Sequence, residues 1–305
     1  MNSDKAEIDA EFSGENPPGA RQNLSGGLYL VATPIGNARD ITLRTLDILR
    51  DADVLAAEDT RSLRRLMEIH GIALGDRPLI AYHDHNGARA RPRLLGALQA
   101  GSSVVYASEA GTPMISDPGF DLARAAQEEG YYVTSAPGAS AVVTALTLAG
   151  LPTDRFLFAG FLPNASGARK RVLKELSELQ ATLAFYESPR RLAATLKDAG
   201  LVLGEGRQAA VCRELTKKFE ETRRGSLADL AAFYAENSVK GEIVLLISKG
   251  EKEAVSEDLI EQELTLALET MSVRDAADLV SGQHEIKRRP VYQLAMRLAQ
   301  EKEDE

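Results

Sequence analysis

The chain has 305 residues, of which 44% are hydrophobic, and a formal net charge of −9; this length predicts two compact units with a small third. Its single cysteine, Cys212, excludes an internal disulfide and a zinc site built from cysteines, and its four histidines are too few and too scattered to suggest a metal site. The acidic charge argues against a protein that coats nucleic acids non-specifically, because such binding depends on phosphate neutralisation by Lys and Arg.

Residues 1–27 are polar and rich in turn-forming residues, and they contain no apolar core of a signal peptide. This composition predicts a disordered tail. No later stretch approaches the roughly 18 apolar residues that a membrane span requires. The sequence therefore predicts a soluble, cytoplasmic protein.

Short apolar runs alternate with helical patterns from residue 28 onward. The runs are LYLVA (28–32), DVLAA (53–57), LIAYH (79–83), SSVVYA (102–107) and YYVTSA (131–136). Such alternation predicts an α/β domain over residues 28–150 with a mostly parallel sheet. In open sheets of this kind, ligands lie beyond the carboxyl ends of the strands.

The pattern changes after Gly150, and we place a domain boundary there. The following strand-like runs are FLFAGFL (156–162), TLAFYE (182–187), QAAVCREL (208–215) and EIVLLIS (242–248). They predict a second α/β domain over residues 151–250, with a mixed sheet. Apolar residues at helical spacing then predict three short helices over residues 255–305, two of them resembling a helix-turn-helix pair.

Three loops rich in Gly and Pro follow the first, fourth and fifth predicted strands: TPIGNARD (33–40), SEAGTPMISDPG (108–119) and APGASA (136–141). If the sheet is parallel, all three lie at one edge, where they suit a small molecule held largely by main-chain groups. For each loop alone, an ordinary turn followed by a helix cap is an equal alternative. No phosphate-binding fingerprint is present, which disfavours a nucleotide polyphosphate and a nicotinamide-dependent enzyme.

Several motifs occur together in a fixed order: TPIGN (33–37), AAEDTR (56–61), SEAGTPMISDPG (108–119), APGASA (136–141), FLFAGFLP (156–163), FYESPRR (185–191), RELTKKFEE (213–221) and GEIVLL (241–246). In combination they closely resemble the tetrapyrrole methylase superfamily, and within it the bacterial ribosomal RNA small subunit methyltransferase I group. The resemblance covers about residues 28–300. The family often has Asp where this chain has Glu109, a change that keeps a carboxylate with a different reach.

The resemblance implies a class III methyltransferase: two α/β domains of the tetrapyrrole methylase type, plus a small C-terminal helical domain. It implies methyl transfer from S-adenosyl-L-methionine, bound in the cleft between the α/β domains, to the ribose 2′-hydroxyl of a cytidine. That cytidine belongs to the decoding region of 16S rRNA in the small ribosomal subunit. The resemblance also implies a homodimer.

The family pattern implies a set of residues that line the cofactor pocket. They are Pro34, Ser108, Glu109, Ala110, Gly111, Thr112 and Ile115 from the first domain, and Tyr186, Arg213, Glu214, Leu215, Gly241, Glu242, Ile243 and Val244 from the second. The residue types suit the ligand, because adenine needs apolar walls and the amino-acid part needs donors and acceptors. The alternative for the apolar positions is a buried strand.

A neutral ribose hydroxyl is a poor nucleophile, so a base near the cleft would help. The candidate catalytic residues are Glu58, Asp59 and Asn86, of which Asn86 would orient the hydroxyl and not accept its proton. His83, His85 and Glu187 are further candidates for the base. For each of them a loop or capping contact is the alternative.

Clusters of cations supply candidate RNA contacts in an otherwise acidic chain. Arg169, Lys170 and Arg171 follow the FLP turn, and Lys287, Arg288 and Arg289 are predicted between the last two helices. Such clusters are often ordinary solvated faces. The helical tail has a second interpretation, a cap that stabilises a homodimer.

Two other functions remain open from the sequence. The first is a methyltransferase of the same superfamily that acts on a corrin or tetrapyrrole precursor; the tail after residue 255 and RELTKKFEE favour rRNA instead. The second is a non-catalytic RNA-binding assembly factor. The complete set of cofactor loops argues against it.

Overall fold

The computed structural model describes residues 24–83, 85–115, 119–250, 257–284 and 286–304. Residues 1–23, most of the predicted tail, lie outside the described residues. Internal contacts divide the chain into one unit that ends at Gly250 and another that begins at Glu251. The finer domain limits remain predictions.

The first sheet is parallel throughout, with the strand order β3-β2-β4-β1-β5. Its strands are Gly27–Val31 (β1), Val54–Ala57 (β2), Leu79–Ala81 (β3), Ser103–Ala107 (β4) and Val133–Ala136 (β5). The helices of this region are Leu43–Asp51 (α1), Thr60–Ile69 (α2), Gly87–Gln99 (α3), Phe120–Glu128 (α4) and Ala141–Ala149 (α5). The expectation of an α/β fold with a parallel sheet is confirmed.

Helices cover both faces of this sheet, which explains why its central strands are continuous apolar runs. In β1, Leu28 and Leu30 face a core shared with α3 and α4, whereas Tyr29 and Val31 face a core shared with α1 and α2. All five residues of β1 and of β4 are buried. A sheet covered on both faces therefore presents its loops at one edge.

The second sheet is mixed, with the strand order β6-β7-β10-β8-β9. Its strands are Phe156–Phe161 (β6), Thr182–Glu187 (β7), Gln208–Arg213 (β8), Glu221–Ser226 (β9) and Ile243–Ile247 (β10), and its helices are Ser166–Glu175 (α6), Leu192–Leu203 (α7) and Leu227–Glu236 (α8). Only β6 and β7 pair in parallel; the other pairs are antiparallel. The predicted mixed sheet is thus observed, with β9 as an additional strand.

Helix α5 joins the two sheets. It follows β5 of the first sheet, but its apolar residues Val142, Ala145 and Leu146 pack with the second sheet, against residues such as Ala210 and Val244. The opposite face of the second sheet is covered by α6, α7 and α8. Because α5 follows β5 directly and packs on the second sheet together with Ile35, it holds the loops of the first sheet close to the second.

The C-terminal unit is a bundle of three helices: Glu257–Ala267 (α9), Val273–Gln283 (α10) and Arg288–Asp304 (α11). Its core contains Leu264, Val280 and Val291. Arg288 and Arg289 lie in the first turn of α11 and not in a connecting turn as predicted. Pro290 is compatible with this start, because the amides of a first helical turn have no partner within the helix. None of the described helices is long and apolar enough to cross a membrane.

Candidate active site

Three loops leave the carboxyl ends of β1, β4 and β5: residues 33–38, 108–115 and 136–140, named here the first, second and third loops. The amides of Thr33 and Gly111 each donate to the other's carbonyl at 3.0 Å. The hydroxyl of Thr33 donates to Ser108 O at 3.2 Å, and that of Thr112 donates to Ala139 O at 2.9 Å. The three loops therefore form one bonded rim at the carboxyl edge of the sheet.

The first loop also packs against the turn that joins β8 to β9. A Cβ at Gly36 would lie 2.5 Å from Lys217 Cγ and 2.9 Å from Leu215 O, so only glycine allows this approach. The amide of Asn37 donates to Thr216 Oγ1 at 3.1 Å. A cleft between the two sheets is closed at this point by backbone contact.

Backbone strain is concentrated in the same loops. Among the described residues, the non-glycine positions with positive φ are Met114 (68°), Glu214 (50°) and Thr216 (63°). Such conformations cost free energy and persist where the surroundings enforce them, often at functional sites. They mark the second loop and the β8–β9 turn.

A first cavity of about 520 Å³ lies between the two sheets, in the size range of small-molecule sites. It is lined by Ile35, Glu58, Glu109, Ala110, Ile115, Ala141, Phe161, Tyr186, Glu187, Ser188, Pro189, Cys212, Leu215, Gly241, Glu242, Ile243 and Val244. Tyr186 lies edge-on to Phe161, with 5.6 Å between the ring centroids. Burial and the charge of Glu242 raise the pKa of Tyr186, so its phenol stays protonated at neutral pH.

The charged residues of the first cavity are all acidic. Its described lining includes four glutamates and neither lysine nor arginine. Two of these glutamates have cationic partners outside the lining: Arg191 lies 3.2 Å from Glu187, and Lys217 lies 2.8 Å from Glu242. A cavity with apolar and acidic walls favours a cationic ligand and disfavours a polyphosphate.

A second cavity of about 670 Å³ adjoins the first, and Ile35, Glu109, Ala110 and Glu242 line both. The other residues of the second cavity are Thr33, Pro34, Gly36, Ala38, Asp59, Arg61, Ser62, Leu63, Arg65, Leu66, Ile69, Ser108 and Lys217. Its cations are Arg61, Arg65 and Lys217. The second cavity also contains the carboxylates of Asp59, Glu109 and Glu242, so the two cavities share a wall and differ in that cations line the second.

The structure brings most of the predicted cofactor residues to these two cavities. Glu109, Ala110, Ile115, Tyr186, Leu215, Gly241, Glu242, Ile243 and Val244 line the first, and Pro34 and Ser108 line the second. The roles of these residues stay predictions.

The remaining predicted cofactor residues lie behind the walls. The carboxylate of Glu214 accepts from the amide of Glu242 at 3.0 Å, and Arg213 pairs with Glu221 at 3.1 Å. Gly111 and Thr112 hold the first and third loops to the second. These four residues support the cavities through backbone and loop contacts.

The three predicted catalytic residues differ in their surroundings. Glu58 lines the first cavity, where its carboxylate accepts from the amide of Glu109 at 3.1 Å. Asp59 caps α2, and hydrogen bonds from the side chain and amide of Arg61 lower the pKa of Asp59 to about 2. A carboxylate with so low a pKa is a weak base at neutral pH.

Asn86 holds its own loop and lines neither described cavity. Its side chain accepts from the amide of His83 at 2.8 Å and donates to Ala81 O at 3.0 Å. This pair of bonds ends β3 two residues earlier than the predicted strand. The loop contact, given above as the alternative for this residue, is the one the structure shows.

Arg169 is a correction among the predicted RNA contacts. It is only 4% exposed, because its guanidinium binds Asp198 Oδ2 through Nε at 2.8 Å and through Nη2 at 2.6 Å. It also donates to the carbonyls of Pro163 and Asn164. A buried and fully engaged guanidinium cannot bind RNA, and Lys170 is the neighbouring residue that stays partly exposed, at 41%.

The other predicted cations are at the surface. Arg171, Lys287, Arg288 and Arg289 are exposed, although Arg288 is paired with Asp278. Within the described residues, no group of three or more His, Cys, Asp and Glu side chains is arranged to hold a metal ion.

Several residues that line the first cavity were not among the predicted cofactor residues: Ile35, Ala141, Phe161, Glu187, Ser188, Pro189 and Cys212. All of them except Cys212 lie within one of the motifs quoted above. Membership of a quoted motif was therefore an available signal. Cys212 carried none, because an apolar strand pattern does not show which face borders a cavity.

Comparisons with known proteins match this architecture. A model of the family "Tetrapyrrole (Corrin/Porphyrin) Methylases" matches residues 27–231, and a model of the "RsmI C-terminal HTH domain" matches residues 253–299. The chain is 47% identical to ribosomal RNA small subunit methyltransferase I of Mesorhizobium japonicum, over 89% of this chain and 93% of that protein. It is 41% identical to the protein of the same name in Escherichia coli O157:H7, over 90% of this chain and 96% of that protein.

Solved structures share the fold at low identity. Uroporphyrin-III C-methyltransferase from Thermus thermophilus, complexed with S-adenosylhomocysteine, aligns with a TM-score of 0.52 at 19% identity, over 73% of this chain and 97% of that one. The family model covers most of the chain, and the relatives exceed 40% identity over nearly its whole length. The chain therefore belongs to the tetrapyrrole methylase family and, within it, to the ribosomal RNA small subunit methyltransferase I group.

Proposed function

We propose that this protein transfers a methyl group from S-adenosyl-L-methionine to the ribose 2′-hydroxyl of a cytidine in the decoding region of 16S rRNA, within the small ribosomal subunit. Family membership makes the protein a methyltransferase that uses S-adenosylmethionine. The observation that carries the finer proposal is the pair of adjoining cavities, one acidic and one with cations. Such a substrate agrees with the cytoplasmic location expected from the sequence.

The chemical groups that line the first cavity suit the cofactor. When bound, S-adenosylmethionine supplies a methyl group on a positively charged sulfur, and its amino group is a second cation. The glutamates of the first cavity offer acceptors to these charges, while Ile115, Phe161 and Tyr186 offer apolar surface to an adenine ring. The fit depends on residues from both sheets, so the relative position of the sheets controls cofactor binding.

We propose Glu58 as the base among the three predicted catalytic residues, because it lines the cofactor cavity, whereas the pKa of Asp59 is about 2 and Asn86 lines neither cavity. The ribose oxygen forms the new bond to the methyl carbon, and the electron pair of the broken carbon–sulfur bond stays on sulfur. The hydroxyl proton passes to the Glu58 carboxylate. Alignment of the reacting atoms supplies about 7–11 kcal/mol in well-oriented reactions, which explains why a rigid rim is needed.

The function is tested by methyl transfer from labelled S-adenosylmethionine to three substrates offered in parallel. These are small ribosomal subunits that lack the modification, naked rRNA, and a corrin precursor. We expect label in the subunit's RNA, in a nucleotide that resists alkaline hydrolysis because its 2′-oxygen is methylated. Label only in the corrin precursor would replace the proposal by the other function of the superfamily.

We expect a Gly36→Ala variant to bind S-adenosylmethionine about tenfold more weakly than the wild type. The new methyl group would overlap the backbone of the β8–β9 turn, and overpacking of this kind costs roughly 1–3 kcal/mol. The first loop would then move away from Leu215, which with Ile35 lines the cofactor cavity. Isothermal titration calorimetry measures the change.

Gly96→Ala is the matched control for this variant. Gly96 lies inside α3, and a Cβ added there would meet nothing within 4 Å beyond its own helix. We expect unchanged cofactor affinity and an equal or slightly higher unfolding temperature, because Ala is the better helix former. Wild-type affinity in Gly36→Ala would show that the loop contact does not shape the cavity.

We propose that Lys287 and Arg289 of the helical bundle contact rRNA phosphates. Both are exposed beside the start of α11. Replacing both by Ala should weaken binding to the subunit about tenfold. The slope of log affinity against log salt concentration should also become less steep, by about 1.5. Binding titrations at several salt concentrations measure this slope, and an unchanged slope contradicts the proposal.

We also propose the homodimer implied by the resemblance. The second sheet ends in β6, an edge strand on which Phe156 and Phe161 are 47% and 60% exposed. Exposed edges with aromatic residues suit association with a second copy. Sedimentation velocity should show the dimer, and a monomer at micromolar concentration would contradict it.

A further inference from the structure

If the first cavity holds the cofactor, the part of the second cavity beside α2 has no ligand assigned to it, although Pro34 and Ser108 of the predicted cofactor residues line the same cavity. Its position is nevertheless constrained by the reaction, because the attacking atom must lie in line with the methyl group at about 3–3.5 Å. Ile35, Glu109, Ala110 and Glu242 form the wall that the cavities share. The second cavity is therefore a space from which an acceptor can reach a methyl group bound in the first.

The lining of the second cavity contains three cations and three carboxylates, so an anionic acceptor would bind there by replacing an ion-pair partner of a cation. Arg61 and Arg65 are four residues apart on α2, so they project from the same side of the helix. Their side chains are 90% and 72% exposed and are paired with Asp59 and Glu68. Exposed ion pairs contribute little to stability, so the arginines can exchange these carboxylates for a phosphodiester at little cost in free energy. The hydrogen bonds between arginine and phosphate are charge-assisted and therefore strong.

Lys217, from the β8–β9 turn, is the third cation that lines this cavity. Burial opposes its charge, but hydrogen bonds to Glu242 and Glu214 outweigh this effect and raise the pKa of Lys217. The ammonium therefore stays protonated at neutral pH. It contacts the carboxylates of Glu242 and Glu214 at 2.8 Å and 3.0 Å, and its side chain is 30% exposed, less than those of the two arginines of α2.

Apolar residues on α2 complete the surface. Leu66 and Ile69 line the same cavity, and Ile69 is 51% exposed. Exposed apolar side chains beside paired arginines offer one surface to a sugar or base and another to its phosphate. The helix α2 thus presents both kinds of contact that a nucleotide requires.

We propose that the second cavity is the acceptor subsite, which binds the methylated nucleotide of the RNA. Arg61 and Arg65 bind a phosphodiester of that nucleotide or of its neighbour, and Leu66 and Ile69 contact its ribose or base. This inference rests on the proposed function. It adds the face of α2 to the substrate-binding surface.

Arg65→Ala and Arg64→Ala form a matched pair that tests the subsite. Arg64 lies on the same helix, is exposed and carries the same charge, but does not line the second cavity. Single-turnover methylation of small ribosomal subunits at saturating S-adenosylmethionine gives the apparent dissociation constant of the subunit. We expect Arg65→Ala to raise this constant about tenfold and Arg64→Ala to stay within twofold of the wild type.

A second pair tests the cavity by filling it. Ser62 is exposed on α2 and lines the second cavity, so Ser62→Trp should block the acceptor, whereas Arg64→Trp places the same bulk outside. Cofactor affinity, measured by calorimetry, should be unchanged in all four variants. Unchanged affinity also shows that each variant is folded.

Each outcome decides between the alternatives. Equal effects of Arg65→Ala and Arg64→Ala, with an active wild type, overturn the acceptor subsite and leave the proposed function intact. Loss of cofactor affinity in Arg65→Ala and Ser62→Trp overturns it as well, because the second cavity would then hold the cofactor. A wild-type chain that binds the cofactor and methylates no RNA overturns the proposed function, and the inference with it.

Discussion

A Glu58→Gln variant is expected to bind S-adenosylmethionine as the wild type does and to methylate the small ribosomal subunit at least a hundredfold more slowly. General base catalysis contributes typically about 10²–10⁴-fold, and an amide cannot accept the proton. The readout is the single-turnover rate at saturating cofactor and subunit. Under these conditions neither binding step limits the rate.

Glutamine is chosen because it removes the proton-accepting carboxylate but can keep the hydrogen bond that Glu58 accepts. Glu58 accepts a hydrogen bond from the amide of Glu109, and the amide oxygen of glutamine can accept the same bond. If Glu58 only holds the second loop, Glu58→Gln should react at nearly the wild-type rate and Glu58→Ala should not. If Glu58 is the base, both variants should be slow.

Asp59→Asn is the matched control at the neighbouring residue. Asp59 caps α2 by accepting from the amide of Arg61 at 2.7 Å, and asparagine is an equally good cap. Its low pKa also makes Asp59 a weak base, so we expect a rate near that of the wild type. A slow Asp59→Asn beside a fast Glu58→Gln would reverse the assignment.

The loops of the site could be predicted from the sequence because local chemistry determines them. Glycine and proline at the ends of apolar runs mark turns, and parallel strands place such turns at one edge. The paired Thr33 and Gly111 amides are the result. Where a loop motif directly follows the end of a strand, the position of the loop depends little on distant parts of the chain.

Burial of charged residues could not be predicted in the same way. Arg169 looked like one cation of an exposed cluster, but its partner Asp198 is 29 residues away on another helix. The strand β9 was missed for a related reason. Its sequence ETRRGS has no apolar alternation, and it pairs along β8 at the edge of the sheet. Tertiary pairing overrides local propensity in both cases.

Sequence patterns also could not predict how α5 packs or that the cleft is divided into two cavities. The pattern of α5 indicates an apolar helix, but not that it covers the second sheet. Likewise, Arg61 and Lys217 are distant in sequence, and they line the same cavity because the first loop packs on the β8–β9 turn. A cavity formed by residues so far apart in sequence depends on the whole fold.

The buried pair of Arg169 and Asp198 leads to the largest expected loss of stability. Asp198→Ala should lower the free energy of unfolding by about 3–5 kcal/mol, because it leaves a buried guanidinium without a compensating charge. Arg169 also binds the carbonyls of Pro163 and Asn164, so its displacement would loosen the segment after β6. Urea unfolding measures the change.

Two comparisons show whether burial is the cause. Asp154→Ala breaks an exposed pair with Lys249 in the same region and should leave the unfolding midpoint nearly unchanged. The double variant Arg169→Ala with Asp198→Ala should lose less than the sum of the single losses, because it removes both charges. Additive losses would mean that the two side chains do not interact appreciably.

The loss of stability caused by Asp198→Ala should also depend on pH. Burial opposes ionisation of Asp198, but hydrogen bonds from Ser166 and Arg169 and the charges of Arg169 and Lys170 outweigh it and lower the pKa of Asp198. A lowered pKa in the folded state stabilises the protein above the unfolded-state value of about 3.9, and this contribution is lost as the pH falls further. The difference between wild type and Asp198→Ala should therefore be constant from about pH 7 to about 5 and should narrow below about pH 4. A difference that stays the same down to about pH 3 would show that Asp198 acts through packing and not through its charge.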